Sequence, residues 1–193
     1  MKSKVFNNGI SDVSGAKLYM RFDTGANSGA DSLSESGQGP AVETVRIDEV
    51  ATQPISLIKI DVEGMEMKAL RSAQQVIDRD RPIIFMEYAP HRQTDQGYTP
   101  QDFQSFLTSR NYRMLINTGP TQGSTETFSI GEIDDLGKLS LMTDLLLVPA
   151  ESDRMPEGIM SATSPHMKRF LLVQRLRYWS GIPKRFLRRL GLI

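Results

Sequence analysis

The 193-residue chain predicts an α/β fold built on a largely parallel sheet, and three observations carry that prediction. Short, nearly continuous apolar runs recur at Ile55 to Val62, Ile83 to Glu87 and Leu145 to Val148, as expected of strands covered on both faces. Between the first two, apolar residues repeat at helical spacing. From residue 55 onward the order is strand, helix, strand, helix, strand, loop, strand, and helices alternating with buried strands favour parallel pairing.

Taken in order, Lys4 to Phe6, extending toward Ile10, and Ala16 to Phe22 read as two short strands. The turn Asp12-Val13-Ser14-Gly15 lies between them. Residues 23 to 41 are rich in Gly, Ser, Asp and Asn with Leu33 as the apolar anchor, which makes a long loop. Val42 to Arg46 is a short strand, and Asp48 to Ala51 a short helical stretch. Ile55 to Val62 is the strongest strand and stops at Glu63-Gly64.

A single helix follows from Met65 to Arg79, with Met65, Ala69, Ala73 and Ile77 at spacings of four and Leu70 and Val76 widening the stripe. Pro82 precedes the strand Ile83 to Glu87. Pro100 opens a helix to Arg110 with Phe103, Phe106 and Leu107 on one face. Tyr112 to Ile116 and Leu145 to Val148 are strands, and Leu136 to Met142 is either a short helix or an extended connection. The domain organisation expected is 1–150 as the folded domain, 151–166 as a linker and 167–193 as a basic tail.

Composition excludes several classes. No cysteine is present, so disulfides, thiolate metal sites and cysteine nucleophiles are out. The two histidines, His91 and His166, stand far apart, and nothing in the pattern calls for a metal, although clustered carboxylates permit one. The start MKSKVFNNGISD has no apolar core of a signal peptide, and no run approaches a membrane span. A cytoplasmic protein is expected.

The net charge of zero conceals an asymmetry: residues 166–193 carry eight bases and no acid, which leaves residues 1–165 at −8. The tail mixes these bases with large apolar groups. Ile182, Phe186, Leu190 and Ile193 line one helical face, and Leu172, Leu176 and Trp179 line another before the Gly181-Ile182-Pro183 break. Peripheral attachment to an anionic membrane surface is one expectation, and a helix packed on the domain or on a partner is the other. Nucleic acid is not expected as a partner, because the acidic body repels phosphate.

Leu57-Ile58-Lys59-Ile60-Asp61-Val62-Glu63-Gly64 carries the chemistry. Along a strand, Lys59, Asp61 and Glu63 project to one side and Ile58, Ile60 and Val62 to the other. Charges inside a central strand cost desolvation unless they are paired or near the open end of the strand, where ligands of α/β sheets bind. Gly64 allows a sharp turn there, and Glu87 ends the next strand in the same way, so three carboxylates can converge. A structural ion pair between Lys59 and Asp61 is the alternative, and Glu66 reads foremost as a partner of the helix dipole.

The run Ile58-Lys59-Ile60-Asp61-Val62-Glu63-Gly64-Met65-Glu66, with Leu70, Ala73 and Arg81-Pro82-Ile83-Ile84-Phe85-Met86-Glu87, resembles the hallmark block of FkbM-family methyltransferases. Val42 to Glu49, Asn8 to Asp12 and Asn27 to Leu33 are similar to the family's earlier segments, in the right order, so the resemblance spans about residues 4–148. It implies a partial Rossmann-like methyltransferase sheet that lacks its first strands. It also implies S-adenosyl-L-methionine as cofactor and methylation of a sugar or secondary-metabolite hydroxyl, a small-molecule or glycan acceptor.

Carried over, Lys59, Asp61, Glu63 and Glu87 become catalytic positions, and Asp61 a cofactor-binding one. The pattern leaves open which carboxylate takes the acceptor's proton and which orients it. The glycine turn and ribose-binding acid of such sheets are expected before Lys4 and are not found; Gly37-Gln38-Gly39 sits in a polar loop. Three explanations stand: a truncated or mis-started reading frame, which is favoured; a split enzyme whose partner chain supplies the N-terminal half; or a non-catalytic interaction domain using an open sheet edge or the tail. Poor binding of S-adenosylmethionine by the isolated chain, or none at all, is expected.

Overall fold

The computed structural model describes residues 3–22, 31–118, 130–154, 159–161 and 163–180, the last five of these without their side chains. The fold is mixed α/β with two sheets, and it divides into two units, residues 1–56 with 60–82 and residues 57–59 with 83–193. Among the described residues no helix is long and apolar enough to cross a membrane.

The first unit holds strands β1 (Gly9–Ile10), β2 (Lys17–Arg21), β3 (Ser32–Ser34) and β4 (Ala41–Val45), in the order β1-β4-β2-β3. β1 runs parallel to β4, and β2 is antiparallel to both β4 and β3. The two strands expected on either side of the 12–15 turn are therefore not partners, because β4 lies between them. The strand expected at Lys4 to Phe6 does not form: Val5 is 90% exposed and Phe6 is exposed too, so neither has a surface to bury against. Thr44 ties the turn to β4, accepting the Ala16 N–H at 3.1 Å and donating to the Val13 carbonyl at 2.6 Å. Residues 23–30 of the expected loop, which include Asn27 to Ala30, lie outside the described residues, and β3 with Leu33 occupies part of the remainder.

Helix α1 (Ile47–Val50) follows β4. The helix expected over 65–79 is instead α2 (Glu66–Ser72) and α3 (Gln74–Asp80), interrupted at Ala73. The cause lies in α1: the Asp48 carboxylate accepts the Val76 N–H at 3.0 Å, capping the start of α3 from outside. Asp48 is itself held by Arg46 at 2.9 Å. The apolar stripe survives the break, since Met65, Ala69, Leu70, Ala73, Val76 and Ile77 are all buried.

The second unit holds β5 (Leu57–Ile60, whose last residue belongs to the first unit), β6 (Ile83–Tyr88), β7 (Tyr112–Asn117), β8 (Ile130–Ile133) and β9 (Thr143–Pro149), in the order β5-β6-β9-β7-β8. β9 is antiparallel to both β6 and β7, so β6 and β7 run the same way and the last strand is threaded between them in reverse. This corrects the expectation of a largely parallel sheet. The helices α4 (Pro90–Asp95) and α5 (Pro100–Thr108) do connect co-directional strands, which is the part the alternating pattern encodes. α5 starts at a capping box of Thr99 and Asp102 and buries Phe103, Phe106 and Leu107. Phe103 meets Tyr88 edge to face at 5.2 Å. Residues 136–142 resolve into a 3-10 turn (Leu136–Lys138) and an extended connection.

Helix α6 (Pro165–Ser180) begins inside what the sequence suggests as a linker. Its buried Met167 packs against Gly131 of β8, where a Cβ would collide with the Met167 sulfur. Gln174 donates to Thr143 Oγ1 at 3.0 Å and accepts the Ser140 N–H at 3.3 Å. Ile182, Phe186, Leu190, Ile193, the side chains of Leu176 and Trp179, and the 181–183 break lie outside the described residues.

Candidate functional site

In the first unit the chain leaves β5 at Ile60 and turns through Asp61, Val62, Glu63 and Gly64 into α2. Glu63 has φ +50° and Gly64 φ +104°, two successive residues with positive φ. Gly64 adopts this readily for want of a Cβ, whereas Glu63 does so at a cost of about 1–2 kcal/mol. Two bonds hold the turn: Met65 N–H to the Val62 carbonyl at 3.2 Å, and Gly64 N–H to Glu66 Oε1 at 3.1 Å.

Glu66 is buried and is the first residue of α2, so its carboxylate fastens the turn and stands at the positive end of the helix. Asp61 is exposed and Glu63 half-buried. The strand expected over Ile55 to Val62 ends at Ile60: within it exposed Lys59 and buried Ile60 alternate as read, but Asp61, Val62 and Glu63 lie in the turn and not on the strand.

In the second unit, Lys59 is exposed on β5, and Glu87 lies on the neighbouring β6. The exposure of Lys59 and Asp61 removes the desolvation cost expected of charges in a central strand, because β5 ends the described order of its sheet. β6 buries Ile84, Met86 and Tyr88 on one face and leaves Ile83, Phe85 and Glu87 half-buried on the other. Glu87 stands toward the carboxyl end of β6, the end at which ligands of such sheets bind.

Directly opposite Glu87 in the antiparallel register is Asp144 of β9, an exposed acid that the sequence reading did not single out. The available signal was an acid at the head of the apolar run Leu145-Leu146-Leu147-Val148.

Gly37 and Gly39 have a packing explanation. A Cβ on Gly39 would run into the Met20 carbonyl, and one on Gly37 would lie 3.2 Å from Tyr19 Cβ. They let the loop pass close over β2 and do not form a phosphate cradle. Gly37 and Gly39 thus do not supply the glycine turn by which sheets of this kind hold a cofactor.

No curated protein matches the chain, and no solved structure matches it. The family model described as "Methyltransferase FkbM domain" matches residues 3–114, more than half of the chain, with β5, the Asp61–Glu66 turn and Glu87 all inside the match. A methyltransferase in general is therefore supported, and S-adenosylmethionine is the cofactor such proteins generally use. The chain belongs to the FkbM methyltransferase domain family.

Proposed function

We propose that the protein methylates a hydroxyl of a sugar or secondary-metabolite acceptor with S-adenosylmethionine as donor, and that Asp61 and Glu63 of the turn after β5 serve the acceptor. The observation that carries this reading is the Asp61–Gly64 turn. A non-glycine residue with left-handed φ, pinned by a buried glutamate, is the kind of local strain found where side chains must be held in fixed geometry. In this reading a carboxylate accepts the hydroxyl proton or aims the oxygen lone pair.

The test is transfer of isotopically labelled methyl from S-adenosylmethionine into a panel of hydroxylated acceptors, using protein isolated from its source cells together with any chain that accompanies it. Asp61→Asn is expected to lower the rate by about 100-fold or more with the fold retained, since Asp61 is exposed. Absence of label from every hydroxyl acceptor, or a fully active Asp61→Asn variant, would overturn the proposal. A non-catalytic interaction domain is the second reading, favoured by the 61% exposure of Leu57 on β5; it expects no methyl transfer.

A further inference from the structure

Helix α6 buries one side and leaves the other exposed. Met167, Val173 and Gln174 are buried, and Phe170 and Leu171 are half-buried beside them. Lys168, Leu172 and Arg175, spaced at i, i+4 and i+7, share the outer face, with Leu172 49% exposed between the two bases. His166 and Arg169 are exposed as well. An isolated leucine on a surface means little, but this one lies among bases in a stretch from 166 to 193 that holds eight bases and no acid.

We infer that the outer face of α6 docks on an anionic phospholipid surface, with Leu172 entering the headgroup boundary and Lys168 and Arg175 facing lipid phosphates. Charge complementarity selects this occupant. The eight bases of residues 166–193, free of any acid, suit a flat anionic plane, whereas residues 1–165 carry −8 and would be repelled by a polyanion that wrapped the body. The lysine and arginine stems can lie along the apolar boundary while their charged ends remain in water. The buried side of the helix stays on the sheet through Met167 and Gln174, so docking needs no unfolding.

The test is co-sedimentation of the full chain with vesicles of phosphatidylcholine alone and of phosphatidylcholine with phosphatidylserine. Binding is expected only to the phosphatidylserine vesicles and should be released by added salt. Leu172→Ser and the pair Lys168→Glu with Arg175→Glu should each weaken it by roughly tenfold or more, with the melting temperature preserved because all three residues are exposed. No sedimentation, equal sedimentation with both vesicles, or binding unchanged in the variants would overturn the inference. Dimerisation lost in Leu172→Ser, without vesicle binding, would assign the face to a second copy and overturn it equally.

Discussion

Glu87 of β6 and Asp144 of β9 stand directly across from each other in an antiparallel pair, so two carboxylates share one face at adjacent positions. Like charges placed this way are destabilising, and exposed Asp144 feels the effect through solvent. Asp144→Asn is expected to raise stability by roughly 0.2–0.5 kcal/mol in urea unfolding. It should lower methyl transfer if the pair serves the acceptor. A variant less stable than the parent would show that Asp144 has a favourable role in the fold.

Glu63 provides a second separation of fold from function. Glycine occupies its φ of +50° without a Cβ penalty, so Glu63→Gly relieves about 1 kcal/mol of backbone strain and is expected to keep the fold, while methyl transfer falls. Thermal melts paired with the labelled-methyl assay check this. Full activity in Glu63→Gly would make the carboxylate dispensable.

The external cap on α3 should matter in proportion to what it holds. Asp48→Ala strands the Val76 N–H and releases Arg46, and is expected to cost about 1–2 kcal/mol. Asp48→Asn keeps an acceptor and should cost less. Denaturant midpoints of the two variants, compared with the parent, decide the order.

Tyr88 is fully buried, and its hydroxyl has no hydrogen-bond partner among the described residues. Burial, with a smaller contribution from the Asp135 charge, pushes its ionisation above the usual tyrosine range. Tyr88→Phe removes the oxygen and keeps the edge contact to Phe103, so a gain of roughly 1 kcal/mol is expected in equilibrium unfolding.

Asp80 gives the acid limb of stability a specific group. The Arg79 guanidinium, at 2.6 and 2.7 Å, and then the Ile55 N–H, at 2.9 Å, hold its carboxyl down to about 2. A carboxylate with a depressed native value contributes stability that is full above its unfolded value of about 3.9 and is lost as pH falls through the folded value. Asp80→Asn should therefore flatten the stability-versus-pH curve between roughly pH 5 and 2, measured by urea unfolding at stepped pH. An unchanged curve would contradict the assignment.

What could be read from the sequence was whatever local pattern determines. The stripe through Met65, Ala69, Leu70, Ala73, Val76 and Ile77 is buried as its spacing indicates, because one helix face either meets the core or does not. The break at Ala73 could not be read, since its cause is a carboxylate 28 residues earlier. The direction of β9 was equally hidden, because an apolar strand looks the same whichever way it runs. β8 and α4 went unnoticed as short segments in polar surroundings, although Pro90 at the first helical position was a usable cue. Lys59, Asp61, Glu63 and Glu87 stood out as charged residues on or beside apolar strands, but the exposure of the first two depends on which strands flank β5.

The reversed strand between β6 and β7 has a kinetic consequence. Its partners are both made earlier during synthesis, yet neither can complete its hydrogen bonding until Thr143–Pro149 arrives to join them. Until then the apolar faces of β6 and β7 lack their shared neighbour and are open to wrong pairing. Assembly of this sheet is thus governed by a late step, and substitutions within β9 should slow refolding more than equally destabilising ones in α2 or α3.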